Sequence, residues 1–152
     1  MGMSVMNRQL ITFVLVAFAI IAAKAQDGLN VAELYDGRYR ENPNAVETII
    51  SGDGLSQYDL DIYHGLSIRG LSADEQKKIE RLVAKDGSSA VDKEVNYKGG
   101  YLYYGFYSLP PKNKKNRYLF YLNNNMKKGD KIIILYMEGR AGARKIKKMI
   151  TK

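Results

Sequence analysis

The sequence predicts an α+β fold of two layers, in which helices cover a mainly antiparallel sheet of about five strands. The first observation behind this prediction is residues 100–138, where three runs rich in aromatic and β-branched residues are divided by turn residues. The second is a set of two or three segments with helical spacing of apolar residues, placed around the strands. With 152 residues, 45% hydrophobic and 26% charged, the chain has the composition of one globular domain.

Residues 1–25 have the pattern of a cleavable secretory signal peptide. Arg8 precedes an apolar segment over residues 10–23, which is shorter than the ~20 residues of a spanning helix. We expect cleavage between Ala25 and Gln26, a single α+β domain over residues 26–152, and no transmembrane span after cleavage. The expected location is the periplasm or the cell surface, and an uncleaved signal anchor is the alternative.

The expected mature chain begins with a short helix and two strands. Asn30 is a candidate cap for a helix over residues 31–35. Val46–Ser51 is rich in β-branched residues and is followed by a glycine turn, as is typical of a strand. Residues 60–69 alternate as a second strand. One face of that strand is expected to carry Leu60, Ile62, His64, Leu66 and Ile68.

Ser72–Lys85 is the clearest helix of the sequence. Ser72 and Glu75 have the spacing of a capping box, in which each side chain binds a free backbone N–H group. Gly87 is expected to end this helix, because many helices end at a glycine in the left-handed conformation. The buried stripe of this helix is expected to consist of Ile79, Leu82 and Val83.

Four further strand-like runs follow this helix, and a closing helix is expected over Ala143–Thr151. In the tyrosine-rich run, Leu102, Tyr104 and Phe106 are expected on one face, and both faces are apolar, which indicates a central strand. Residues 110–116 are expected to form a loop. The four runs cover residues 90–97, 101–107, 118–122 and 132–137.

The composition excludes several kinds of chemistry. The chain has no cysteine, which excludes disulfides, thiolate metal sites and thiol nucleophiles. Its single histidine, His64, excludes a zinc site built mainly from histidines of one chain. No recognisable catalytic constellation is present, so we predict no catalytic residue, no metal site and no cofactor, and a non-enzymatic protein is favoured.

The C-terminal third of the chain is strongly basic, with 13 Lys or Arg in residues 112–152 against two acidic residues. Such asymmetry is compatible with an acidic glycan, an anionic lipid or an envelope protein as partner, and export disfavours nucleic acid. A solvated basic surface without a partner is the alternative. Tyrosines beside the basic residues could stack ligands, or could simply cover a half-exposed sheet. Free N–H groups at the start of the last helix could hold an anion, although a plain strand-to-helix turn explains the glycines there equally well. The predicted ligand-binding residues are Lys112, Lys114, Lys115, Arg117, Tyr118, Arg140 and Arg144.

Two other functions compete with this exported binding or interaction domain. One is a hydrolase that uses His64 with Ser56 or Ser67 and with Asp59 or Asp61, although no Gly-x-Ser-x-Gly motif surrounds either serine. A buried structural histidine is the simpler interpretation, because four apolar residues alternate with His64. The other is a structural component of an envelope assembly.

Three short motifs carry a resemblance to a known group of proteins. They are the strand end Leu66-Ser67-Ile68-Arg69-Gly70, the Gly-Asp-Lys of residues 129–131, and the run Leu135-Tyr136-Met137-Glu138-Gly139. With the leader, these motifs resemble small exported domains of unknown function from Gram-negative gut bacteria, over most of residues 45–150. The resemblance implies a periplasmic or surface location and no established activity.

Overall fold

The computed structural model describes residues 28–35, 37–124 and 131–151, so the expected signal peptide lies outside the described residues. Six strands lie within these residues: β1 (Ala45–Ser51), β2 (Leu60–Arg69), β3 (Asp92–Lys98), β4 (Tyr101–Lys112), β5 (Lys115–Asn123) and β6 (Lys131–Gly139). They form one antiparallel sheet in the order β1-β2-β6-β5-β4-β3. The expected count of about five strands was too low, because all six strand-like runs pair into the same sheet.

Helices cover both faces of this sheet, so the two-layer prediction was wrong and the domain has three layers. The helices are α1 (Ala32–Tyr35), a 3-10 helix (Gly52–Tyr58), α2 (Ala73–Gly87) and α3 (Ala143–Ile150). The face under α1 and α2, here called the α2 face, carries Tyr121 and Ile134 among its buried residues. The opposite face, here called the α3 face, carries Phe120 and Leu135 under the 3-10 helix and α3. None of the helices in the described ranges is long and apolar enough to cross a membrane.

The start of α2 is as expected, whereas its end is not. The Ser72 hydroxyl accepts from the Glu75 N–H at 3.2 Å, and the Glu75 carboxylate accepts from the Ser72 N–H at 3.4 Å, which confirms the capping box. Gly87 is the last helical residue and is not left-handed. Glycine is required there because a Cβ would lie 2.3 Å from the Tyr107 ring, which packs against the helix end.

α1 is held by a carboxylate from the end of α2 and not by the Asn30 side chain. The Asp86 carboxylate accepts from the backbone N–H groups of Asn30 at 2.7 Å and Val31 at 2.9 Å. The Asn30 side-chain amide donates to the same carboxylate. Asp86 is 3% exposed, so a buried anion satisfies the free N–H groups at the start of α1.

Two bulges change which side chains share a face. The register between β2 and β6 shifts after Leu60, so Leu60 packs on the α3 face while Ile62 and the rest of the expected group pack on the α2 face. An extra residue in β4 likewise places Leu102 with Tyr107 on the α2 face, away from Phe106. Because strand side chains alternate, one inserted residue moves the neighbouring part of the strand to the other face.

The expected loop over residues 110–116 was wrong, since β4 continues through both prolines to Lys112 and β5 begins at Lys115. Asn113 and Lys114 alone form the turn, and both have positive φ, of 52° and 63°. This is the geometry of a tight two-residue hairpin. The prolines are accommodated because the strand register is irregular there, and proline within a sheet is confined to such places.

Candidate functional site

The α3 face of the sheet is only partly covered, because its helices are short. α3 has eight residues and is therefore about 12 Å long, whereas six strands about 4.8 Å apart span about 24 Å. The seven-residue 3-10 helix covers only the corner above β1 and β2. Between these two covers an apolar groove remains open along the sheet.

The groove has a volume of about 420 Å³, within the about 300–1,000 Å³ typical of small-ligand sites. Side chains of β2, β5 and β6 form its floor, while the 3-10 helix and the last turn of α3 form its walls. The residues that line it are Ile50, Leu55, Tyr58, Tyr63, Phe120, Leu122, Ile133, Leu135, Met149 and Ile150.

No charged side chain is among these lining residues, and two tyrosines supply their polar groups. Ile50 is 39% exposed and Tyr58 is 37% exposed, so apolar surface is open to water at the groove. Burial raises the pKa of Tyr63 above its usual value. Contiguous apolar surface left open to water marks a binding site more often than a plain surface does.

Asp59 joins the two walls of the groove. This residue ends the 3-10 helix in a left-handed conformation with φ 54°, and its carboxylate forms an ion pair with Lys145 of α3. Its carbonyl accepts from the N–H groups of Arg140 and Ala141, each at 2.9 Å. The sequence suggested that these two N–H groups bind an anion. They bind the Asp59 carbonyl instead, and so hold the two walls together.

The predicted ligand-binding residues do not gather at one place. Lys112 and Lys114 are exposed at the β4–β5 turn, and Arg144 is exposed on α3. Arg117, 8% exposed, lies on the α2 face, whereas its neighbour Tyr118, 4% exposed, lies on the α3 face. The Tyr118 hydroxyl donates to the Ala141 carbonyl at 2.7 Å, so this tyrosine is used in packing.

Lys115 and Arg140, the remaining two predicted residues, line a shallow polar pocket of about 400 Å³. Lys115 pairs with a carboxylate there at 2.7 Å. The acidic side chains outnumber the basic ones, so this pocket offers little attraction to an acidic polymer. The carboxylates of the pocket belong to Asp53, Asp59 and Asp61. They are not placed to hold a metal ion together, and no other group of three His, Cys, Asp or Glu side chains in the described ranges is either.

A row of buried polar side chains crosses the α2 face. His64, 2% exposed, bonds through Nε2 to the Glu47 carboxylate at 2.6 Å and lies opposite Tyr136 on β6. The Tyr136 hydroxyl accepts from Arg117 Nε at 2.9 Å and donates to Glu138 at 2.7 Å. Burial raises the pKa of Tyr136, against the lowering effect of its hydrogen bond with Arg117. The middle of the row is buried while Glu47 and Glu138 are partly exposed, and its polar groups bind one another as in a structural network.

The groups of the hydrolase alternative are not brought together. His64 lies on the α2 face, whereas Ser67, three residues on, points to the α3 face by strand alternation. Asp61 pairs with Lys115, and Asp59 pairs with a lysine of α3. The Ser56 hydroxyl donates to a backbone carbonyl of its own helix. No serine of this set can therefore pass a proton to the buried imidazole.

The sequence reasoning missed the groove, although one pattern could have indicated it. The α3-face positions of β2 after Tyr63 are Gly65 and Ser67, and both are small. Leu135 and Ile133 stand opposite them on β6. These small residues let neighbouring side chains pack down onto β2, because a Cβ on Gly65 would lie 3.0 Å from Leu135 Cδ2 and 3.3 Å from the Tyr63 ring. Both of those side chains line the groove, so its floor lies close to the strand.

A protein family matches most of the chain. The family model of DUF6108, described as a family of unknown function, matches residues 18–150. No curated protein and no solved structure matches the chain. The family description names no activity, so the chemistry of the groove carries the functional inference.

Proposed function

The chain belongs to the DUF6108 family of unknown function, and we propose that it is an exported, non-enzymatic binding domain that holds an apolar chain in the groove on its α3 face. The observation that carries the proposal is the open, uncharged lining of that groove. A solvent-exposed apolar site of this size favours a ligand that removes it from water, at about 25 cal/mol for each Å² buried.

The shape of the groove favours a narrow aliphatic ligand. Its floor is aliphatic where Leu122, Ile133 and Leu135 lie side by side on paired strands. Met149, a flexible side chain that adapts to different occupants, lies on the wall. The rings of Tyr58 and Tyr63 can pack on an alkyl chain while their hydroxyls stay at the water boundary.

Export is the second part of this proposal and is supported by the leader pattern of residues 1–25. At the cell envelope, a domain that binds aliphatic chains would be exposed to lipids and to their breakdown products. Amino-terminal sequencing of the protein from its native cells should give Gln26 as the first residue. A mature protein that still begins at its first methionine would contradict cleavage.

We expect Ile133→Thr to weaken binding of the neutral fluorophore N-phenyl-1-naphthylamine by about tenfold. The substitution keeps a β-branched residue suited to a strand but removes two apolar carbons from the groove floor. Covered by the ligand, these carbons are worth about 1.5 kcal/mol, or about tenfold in affinity. Fluorescence titration of the full chain measures the dissociation constant.

The matched control is Val91→Thr, the same kind of change at a residue that is 69% exposed and lies outside the groove. This variant should bind the fluorophore as the unchanged protein does. Equal affinity of the Ile133→Thr variant and the Val91→Thr variant would place the fluorophore elsewhere and refute the groove as the site.

A further inference from the structure

Two cations stand side by side where the apolar floor of the groove ends. Arg69 on β2 and Lys131 on β6 are direct partners in the antiparallel register. Strand alternation places both on the α3 face, two residues beyond Ser67 and Ile133. The Arg69 N–H donates to the Asn44 carbonyl at 3.0 Å. Asn44, the residue before β1, therefore lies beside Arg69 on the side away from Lys131.

This pairing of like charges is unfavourable in the absence of an anion. Like charges directly opposite each other on neighbouring strands destabilise a sheet. Neither Arg69 nor Lys131 forms an ion pair with a carboxylate in the described part of the chain, so no protein anion there offsets their repulsion. Residues that break a local rule without compensation are expected at functional sites.

We infer that the ligand of the groove is a single-chain anionic amphiphile, such as a free fatty acid, whose headgroup binds between Arg69 and Lys131. The inference rests on the proposed function, since the groove must first hold the alkyl chain. Two residues along a strand span about 7 Å, so a headgroup at Lys131 continues directly into a chain lying on Ile133. The apolar floor and the cation pair thus match the two ends of one molecule.

The surroundings of the cation pair favour an anionic headgroup over a neutral one. Asn124 follows β5 and lies beside Lys131, because its backbone N–H donates to the Lys131 carbonyl at 3.0 Å. Asn44 lies beside Arg69 on the other side, because its backbone carbonyl accepts from the Arg69 N–H. Guanidinium, ammonium and amide groups are all hydrogen-bond donors that a carboxylate can accept from.

Isothermal titration of the full chain with decanoate, 1-decanol and decylamine tests the headgroup site, because the three share one alkyl chain. We expect decanoate to bind about tenfold more tightly than 1-decanol, a typical gain for charge-assisted hydrogen bonds, and decylamine more weakly than either. In the double variant Arg69→Gln and Lys131→Gln, decanoate should bind no more tightly than 1-decanol. The control with equal loss of charge is Lys77→Gln with Arg81→Gln, on the exposed side of α2, which should keep the preference.

The outcomes separate the two proposals. Equal binding of decanoate and 1-decanol, unchanged in the Arg69 and Lys131 variant, would refute the headgroup site and leave the groove standing. Binding of none of the three would refute both. Binding to vesicles of anionic phospholipid without binding to monomeric decanoate would replace the fatty acid by a membrane surface and overturn the inference.

The melting temperature of the double variant Arg69→Gln and Lys131→Gln, measured without ligand, should equal or exceed that of the unchanged protein, because the substitutions remove a repulsion. A lower melting temperature would contradict the repulsion between the two cations.

Discussion

Gly139→Ala is expected to lower the free energy of unfolding by about 3 kcal/mol, the upper part of the range for overpacking. A Cβ at this position would lie 2.5 Å from the Asp59 carbonyl oxygen and 2.6 Å from Leu60 Cα. Both are backbone atoms and cannot rotate away. The same carbonyl joins the 3-10 helix to the start of α3, so the variant should also bind an apolar ligand more weakly.

Urea denaturation measures this loss as a lower midpoint with an unchanged slope. The matched control is Gly54→Ala, because a Cβ there would meet only Ile50 Cγ2 at 3.9 Å. That variant should stay within about 0.5 kcal/mol of the unchanged protein. If the Gly139→Ala variant were as stable as the Gly54→Ala variant, the close contact of β6 with the Asp59 turn would be absent in solution.

Alkali is expected to unfold the protein above pH 10, through tyrosines that the fold keeps neutral. Burial raises the pKa of the Tyr107 hydroxyl to about 12, whereas an unfolded tyrosine titrates near 10. A group with a raised folded-state pKa stabilises the fold fully below pH 10 and loses that contribution as the pH rises through the folded value. Burial raises the pKa in the same direction for Tyr35, Tyr39, Tyr63, Tyr104, Tyr118, Tyr121 and Tyr136.

Ultraviolet absorbance and circular dichroism followed together between pH 8 and 13 test this expectation. Ionisation of the buried tyrosines should coincide with loss of secondary structure, between about pH 10 and 12. Tyr107→Phe keeps the ring and removes one titrating group, so its unfolding midpoint should move to higher pH. Ionisation of all tyrosines near pH 10 with the fold intact would contradict the burial of these hydroxyls.

Much of the fold could be predicted from the sequence, because the signals were local. The capping box of Ser72 and Glu75 defines the start of α2, and the alternation over residues 60–69 matches β2. The apolar character of both faces of the tyrosine-rich run predicts a central strand, and β4 lies inside the sheet. These patterns depend on backbone periods of 3.6 and 2 residues, which the sequence displays directly.

The remaining features depend on contacts between distant segments. The positions of Leu60 and Leu102 follow from bulges that a periodic pattern does not reveal. Gly87 is a glycine because of the Tyr107 ring, twenty residues away, and not because of a left-handed turn. The groove exists because two short helices do not reach across a wide sheet, which the sequence does not display. The sequence-based prediction relied on the number of basic residues and therefore selected Lys112 and Lys114.

Methyl NMR of the full chain titrated with decanoate tests the central claim most directly, namely that an apolar chain binds in the groove on the α3 face. We predict that the methyl signals of Leu122, Ile133 and Met149 shift with a common dissociation constant. Those of Ile68 and Ile79, buried on the α2 face, should stay unchanged. Shifts confined to the α2 face, or no shifts at saturating decanoate, would contradict the account.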